Sequence, residues 1–236
     1  MSLQLPGSQT FIPLTSLEVV THIGSLNPAD KGLRGASYEG AGLSFSIHPE
    51  DWEAIAQLGG NDWWEVDLTG RQFVDGHQAL RLASEGLATW GQANGLITSC
   101  QEFAVAWEDS EWEEMVEMVV PTLELAQAEV EDMAEVEGMA EGEFKITQRQ
   151  GWAPTVKLLE AMRHMTSSAG APCPDALRSV LTVWAEHHGL DGVWWEDTYS
   201  PEQLSAPRGV IFPDKVPELS FKKAREASAR PRGLRP

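Results

Sequence analysis

The spacing of apolar and polar residues divides this chain into short strands and longer helices. The segments with strand character alternate apolar and polar residues, or are rich in β-branched and aromatic ones, and turn residues bound them. They are Leu17–Ile23, Leu43–Ile47, Trp63–Leu68, Gln72–Val74, Leu96–Trp107, Asp191–Trp195 and Gly209–Phe212. The third and fourth segments flank Thr69-Gly70, which predicts a hairpin there.

Helical spacing of apolar residues predicts five further stretches. They are Glu50–Leu58, Gln78–Ala93, Asp109–Met139, Pro154–Met165 and Asp175–His188. Pro121 interrupts the third stretch, and Gly189 ends the last. Strands come first and last with helices between them, so we expect an α+β fold with mixed, mainly antiparallel sheets and packed helices.

Composition favours a single domain over residues 1–217. The chain has 236 residues, of which 42% are hydrophobic, so a packed core needs neither disulfides nor a metal. Its two cysteines, Cys100 and Cys173, could pair, although so low a count is typical of reduced thiols in a cytosolic protein. Residues 218–236 are basic and contain little to bury, which predicts a disordered tail.

The sequence predicts neither a secretory leader nor a membrane-spanning segment. Residues 1–10 lack a basic region followed by an apolar run. No stretch reaches the roughly 20 apolar residues that a transmembrane helix needs. We therefore expect a soluble, cytoplasmic protein that does not associate with membranes.

The net charge of −19 is concentrated in one region. Between Arg81 and Lys145 there is no lysine or arginine, and sixteen Asp and Glu residues occur. We interpret residues 108–143 as an acidic, helical insertion. Its carboxylates would repel nucleic acid and attract basic proteins. Three explanations are open: a solvated helix face, a docking face for a basic partner, and mimicry of DNA.

Common catalytic motifs are absent. The sequence has no G-x-x-x-x-G-K-[ST], no G-x-S-x-G and no H-E-x-x-H. Two distant cysteines are too few for a zinc framework, so no metal site is expected.

Two segments instead have the composition of the two halves of one site. The first runs from Thr21 to Ser46 and combines a histidine at a strand end, a glycine-rich loop and a strand that carries serines. The second, Gly189–Phe212, contains carboxylates after one strand and an arginine before the next. Glycines at such places let a flat ligand approach the backbone.

These segments resemble ADP-ribosyltransferase-like proteins, particularly the divergent bacterial toxins, phage effectors and anti-CRISPR proteins. His22, Gly24 and Ser25 match the first strand of that family, and Gly42–Ser46 match its second. Gly189–Val193 and Val210–Pro213 match the phrases near its C-terminus, with Leu190 where an aromatic residue is usual. The resemblance covers about a quarter of the chain, and the usual Q-x-E or E-x-E pair is absent from the late strands.

The resemblance implies an enzyme that uses NAD as its substrate and modifies a protein target. Breaking the nicotinamide–ribose bond places positive charge on the ribose, which a fixed carboxylate stabilises. By resemblance, the catalytic carboxylate is Asp197 or Glu196. The implied NAD-binding residues are His22, Gly24, Ser25, Tyr38, Ser44 and Arg208. Each of these residues also has an ordinary structural explanation as a turn, strand-end or ion-pair residue.

The leading hypothesis is thus a mono-ADP-ribosyltransferase of toxin or phage-effector type. The alternative is a non-enzymatic inhibitor or immunity-type protein that binds a basic partner through residues 108–143. The two hypotheses differ in geometry. If His22 and the Glu196-Asp197 pair lie on adjacent strands and face one groove, the enzyme is favoured. If they point apart, the acidic surface is favoured.

Overall fold

The computed structural model describes residues 2–5, 11–26, 42–109, 114–137, 140–162, 168–197 and 206–225. The strands in these ranges are β1 Ser2–Gln4, β2 Phe11–Thr15, β3 Val19–Ile23, β4 Leu43–Ser46, β5 Trp63–Asp67, β6 Phe73–Asp75, β7 Ile97–Asp109, β8 Glu114–Val120, β9 Lys145–Pro154, β10 Gly192–Trp195, β11 Arg208–Ile211 and β12 Phe221–Arg225. The helices are α1 Pro49–Ile55, α2 Gly76–Ala93, α3 Leu123–Glu137, α4 Val156–Met162 and α5 Ala176–His187, with 3₁₀ turns at Glu141–Glu143 and Val216–Glu218.

Nine of these strands form one sheet in the order β1-β2-β6-β10-β11-β4-β3-β5-β12. Neighbouring strands run antiparallel except β6 and β10, which are parallel. The prediction of a mixed, mainly antiparallel α+β fold is therefore confirmed. Within the part of the chain that is described, no helix is long and apolar enough to cross a bilayer.

The two faces of the large sheet bury different cores. On one face, α2 and α5 pack against β10, and Leu87, Leu181 and Trp184 contact Val193 and Trp195 in one cluster. The other face buries a second cluster that is rich in aromatic residues, in which the rings of Phe45 and Trp194 stack at 5.7 Å. Successive residues of a strand point to opposite faces, so Trp194 and Trp195 serve different cores.

A second sheet, in the order β8-β7-β9, carries α3 on one side. The prediction of helix from residue 109 onward is therefore wrong at Asp109, where β7 ends, and over Glu114–Val120, which form β8. The β-branched residues of β8 suit a strand, and its long ladder with β7 pairs Phe103 with Val120. Helix begins only at Leu123, after Pro121.

The hairpin predicted around Thr69-Gly70 is also wrong. Both flanking strands exist, but β5 pairs with β3 and β12, whereas β6 pairs with β2 and β10. Gly70 has a φ of +82°, which fits the predicted turn. Turn chemistry fixes the change of direction but not the strand that each segment pairs with.

The basic C-terminal segment is partly ordered, which corrects the prediction of a disordered tail from residue 218. β12 pairs with β5, and its cations meet acidic residues of neighbouring elements. The contacts are Lys222 Nζ to Glu65 Oε2 at 2.9 Å, Lys223 Nζ to Asp62 Oδ2 at 3.1 Å, and an ion pair of Arg225 with Glu53. The Arg225 guanidinium also lies 3.6 Å from the ring centroid of Trp63. Residues 226–236 lie outside the described ranges.

Gly192 in β10 occupies a position with no space for a side chain, which yields a first prediction. A Cβ atom there would lie 1.9 Å from the carbonyl oxygen of Val210 and 2.8 Å from the ring of Phe73. Such overpacking costs about 1–3 kcal/mol, so Gly192→Ala should lower the free energy of unfolding by at least that amount. Gly59→Ala is the matched control, because no atom lies within 4 Å of its added Cβ. Urea unfolding of both variants tests this, and equal stabilities would contradict it.

Candidate active site

The parallel pairing of β6 with β10 brings two distant segments together. Val74 pairs with Val193, so the carboxyl ends of both strands lie at the same edge of the sheet. β6 continues directly into α2, whose N-cap Asp75 accepts a hydrogen bond from the backbone N–H of Gln78 at 3.0 Å. The first turn of α2 therefore lies beside the residues that follow β10.

At this junction, the side chains of His77 and Arg208 contact Asp197. His77 Nε2 lies 2.7 Å from Asp197 Oδ1, and Arg208 donates to Asp197 Oδ2. His77 comes from the first turn of α2, and Arg208 begins β11. The side chains of Asp197 and Arg208 are 17% and 19% exposed, whereas that of His77 is 40% exposed. The carboxylate is thus largely enclosed, and the imidazole faces solvent beside it.

Tryptophan rings support the charged groups of this cluster. The ring of His77 packs edge-on against Trp195 at 5.4 Å, and the guanidinium of Arg178 lies 5.6 Å from the same ring. The guanidinium of Arg208 lies 6.0 Å from the ring of Trp52, which projects from α1. Cations over tryptophan faces gain about 0.5–1 kcal/mol at exposed sites, so these contacts favour fixed orientations.

The surroundings of Asp197 favour its ionised form. Burial would raise the pKa of this carboxyl, but the hydrogen bond from His77 and the positive charges of Arg208 and Arg178 outweigh that effect. The pKa of Asp197 therefore lies below its ordinary value of 3.8. In a chain with a net charge of −19, this carboxylate has two arginines near it, of which Arg208 pairs with Asp197 itself and Arg178 pairs with Asp175 at 3.3 Å.

His22, which the sequence singles out, lies elsewhere. It is fully buried in β3, with Nδ1 2.6 Å from the carbonyl oxygen of Ser44 and Nε2 2.9 Å from that of Ser25. Burial is the larger effect and lowers the pKa of His22, although both carbonyls favour the charged ring. Both ring nitrogens face the backbone, so in this arrangement His22 joins β3 to β4 and to the following turn.

The other NAD-binding candidates fall into three groups. Gly24 has a φ of +132°, and its carbonyl accepts a hydrogen bond from Trp64 Nε1 at 3.0 Å, so it shapes the turn that also contains Ser25. Ser44 is nearly buried and pairs with Val210 of β11, which places it on the face that carries Arg208. Tyr38 lies outside the described residues.

The two candidate carboxylates separate at the end of β10. Glu196 Oε2 accepts a hydrogen bond from Trp194 Nε1 at 2.7 Å, whereas Asp197 binds His77 and Arg208. Trp194 belongs to the aromatic core of the opposite sheet face, so the two acids leave the strand in different directions. Only Asp197 joins the cluster at the start of α2.

His22 and Asp197 neither lie on adjacent strands nor face one groove, and this outcome counts in favour of the acidic surface; the case for the enzyme depends on Asp197 and the partners that it has instead. β4 and β11 lie between β3 and β10, and His22 shares a sheet face with Val20 rather than with Arg208. His77 instead lies beside Asp197, although the two residues are 120 positions apart in sequence. The local signal for His77 is a histidine in the first turn of a capped helix, and only the parallel strand pairing gives it a partner.

Among the residues with described positions, no three His, Cys, Asp or Glu side chains are placed to hold a metal ion. A groove of about 610 Å³ on β7 and β9 contains none of the candidate residues and is lined by Ser99, Cys100, Gln101, Gln148, Arg149 and Gln150.

The lowered pKa of Asp197 yields a second prediction. A carboxyl with a lower pKa in the fold than in the unfolded chain stabilises the protein above the unfolded value, and this contribution is lost as the pH falls through the folded value. Asp197→Asn should therefore destabilise the protein at about pH 7, and the difference from wild type should shrink towards about pH 3. Urea unfolding measures both differences. Asp214→Asn, in an exposed ion pair with Lys215, is the control, and a pH-independent difference would contradict the assignment.

Comparison with known proteins found no matching family model, no matching curated protein and no matching solved structure. The functional proposals for this chain therefore depend on its own contacts and on the sequence resemblance.

Proposed function

We propose that this chain is an NAD-dependent mono-ADP-ribosyltransferase that modifies a protein target, in the manner of a cytoplasmic toxin or phage effector. The observation that carries the proposal is the ionised Asp197, held between His77 and Arg208 at the end of β10. The sequence resemblance leaves Asp197 and Glu196 open as the catalytic carboxylate and includes Arg208 among the implied NAD-binding residues, and the contacts of Asp197 favour it over Glu196.

The chemistry of the cluster suits the two charged parts of NAD. Positive charge develops on the ribose as nicotinamide departs, and a carboxylate that stays ionised stabilises that charge. The pyrophosphate is anionic, and guanidinium groups bind phosphate oxygens through paired N–H donors. Arg208, which pairs with Asp197, and Arg178, which pairs with Asp175 at 3.3 Å, would hold that part of the molecule. Ser44 lies on the same sheet face, and Tyr38 keeps only the role that the resemblance implies.

Glu196 is the less suitable carboxylate. Its bond to Trp194 directs it towards the opposite sheet face, away from Arg208 and His77. A catalytic carboxylate must act on the same substrate that the cations bind, and only Asp197 is placed beside them.

The test is NAD binding and nicotinamide release by the purified protein, with Asp197→Asn as the variant. Removing a preorganised charge of this kind costs about 100- to 1000-fold in rate, so the variant should lose release by that factor. Calorimetry should still detect NAD binding, because Arg208 and Arg178 remain in place.

Two further variants interpret the result. Asp214→Asn should release nicotinamide at the wild-type rate, and Glu196→Gln should retain most activity. Loss of activity in Glu196→Gln but not in Asp197→Asn would transfer the catalytic role to Glu196. Absence of both NAD binding and release in wild type would refute the proposal.

A second candidate function is binding of a basic protein partner, and the exposed face of α3 favours it. This face carries the exposed carboxylates Glu124, Glu131, Asp132 and Glu135. In the described part of the chain, none of the four has an ion pair, whereas Glu117 of β8 is paired with Arg149 at 2.8 Å. Unpaired carboxylates on one helix attract cationic surfaces at low salt.

Neutralising the α3 face tests this function. Replacing Glu124, Glu131 and Glu135 with Gln and Asp132 with Asn should weaken binding to a fluorescent poly-lysine peptide and flatten its dependence on salt. The matched control removes four exposed charges elsewhere, with Gln at Glu18, Glu85 and Glu160 and Asn at Asp214. Equal losses in both variants would mean that net charge alone attracts the peptide, and that α3 is not a docking face.

A further inference from the structure

We infer that His77 is the general base of this site and that the acceptor it serves is a hydroxyl group. The inference rests on the proposed function, because it concerns the nucleophile that receives ADP-ribose. It adds a residue that neither the sequence motifs nor the resemblance identifies.

Several contacts fix the position of the His77 ring. Asp75 is the N-cap of α2 and accepts a hydrogen bond from the backbone N–H of Gln78, so it sets where the helix begins and places His77 in the first turn. At Gly76, an added Cβ would lie 2.4 Å from the ring of Trp195. Only glycine at this position therefore lets the backbone of α2 pack so close to that ring. The imidazole then packs edge-on against the same ring and bonds to Asp197. A base with so few alternative orientations is preorganised for proton transfer.

The pairing with Asp197 also fixes which nitrogen carries the proton. An ionised carboxylate only accepts hydrogen bonds, so Nε2–H of His77 donates to Asp197 Oδ1. In the neutral ring, Nδ1 then holds a lone pair. Among the described residues Nδ1 has no hydrogen-bond partner, and the side chain is 40% exposed. Enzymes that activate a nucleophile commonly place a base beside it and use a third group to orient that base, which is the role of Asp197 here.

The charged groups around His77 decide the class of acceptor. Asp197 bonds to it from the end of β10, and Arg208 of β11 pairs with that carboxylate. Arg178 of α5, which pairs with Asp175 at 3.3 Å, adds positive charge near Asp197. A lysine or arginine acceptor would add a cation beside two guanidinium groups. A hydroxyl is neutral, but it must lose a proton to react, which is the step that His77 can perform.

The reaction balances with these groups alone. The acceptor oxygen bonds to the anomeric carbon of the ribose as its proton passes to Nδ1 of His77. The bond from that carbon to the nicotinamide nitrogen breaks, and nicotinamide leaves with the bonding electrons. Asp197 stabilises the imidazolium that results. Serine or threonine side chains of a target fit this acceptor class, as does water.

Nicotinamide release from NAD, with methanol as the hydroxyl probe, tests the role of His77. Removal of a general base costs about 100- to 10,000-fold, so His77→Ala should lose release by about that factor, and added imidazole should restore part of it. His187→Ala, an exposed histidine at the end of α5, should behave as wild type.

A second measurement does not depend on turnover. Long-range ¹H–¹⁵N spectra of the protein should show His77 as the Nε2–H tautomer, and Asp197→Asn should shift that equilibrium. The Nδ1–H tautomer in wild type, or an unchanged rate of nicotinamide release in His77→Ala, would overturn the inference while the transferase could stand. No nicotinamide release by wild type, with water or methanol as acceptor, would overturn both.

Discussion

The parallel ladder between β6 and β10 is the interaction on which the candidate site depends. It is the one parallel pairing in the described large sheet, and it forces two strands to end at the same edge. β6 leads into α2 and β10 leads into Asp197, so a three-residue ladder positions a helix start against a carboxylate. A parallel pair requires a long crossover between its strands, and here that crossover contains the whole second sheet.

Charge in this protein is separated into regions with different roles. Four carboxylates of α3 lie on an exposed surface, where solvent and salt screen them: Glu124, Glu131, Asp132 and Glu135. Asp197 lies in a largely enclosed position between cations, where each pairing has a stronger effect on the carboxyl group. The ion pairs of Arg149 with Glu102 and Glu117 lie between these extremes and join the three strands of the smaller sheet. The net charge alone reveals none of this organisation.

The sequence predicts the elements of this fold better than it predicts their partners. Apolar alternation and glycine signals locate β3, β4, β10 and β11, because local patterns reflect local burial. β9 has a polar, mostly exposed surface, so it lacks that pattern and is found only through its ladder with β7. The same limit applies to the site. Asp197 and Arg208 lie close in sequence and can be recognised there. His77 becomes a neighbour of Asp197 only because β6 pairs with β10, two strands that are distant in sequence.

The ordered end of the basic segment also has a consequence for solubility. Sheet edges expose unpaired backbone groups that can pair with other chains. β12 covers the edge of β5 and replaces it with a short strand whose side chains, apart from Phe221, are exposed and mainly cationic. A chain that lost β12 would expose the backbone of β5 together with Trp63 and Trp64, and would offer a template for aggregation. Lysines and an arginine on this edge strand therefore disfavour pairing with the sheet edge of another chain.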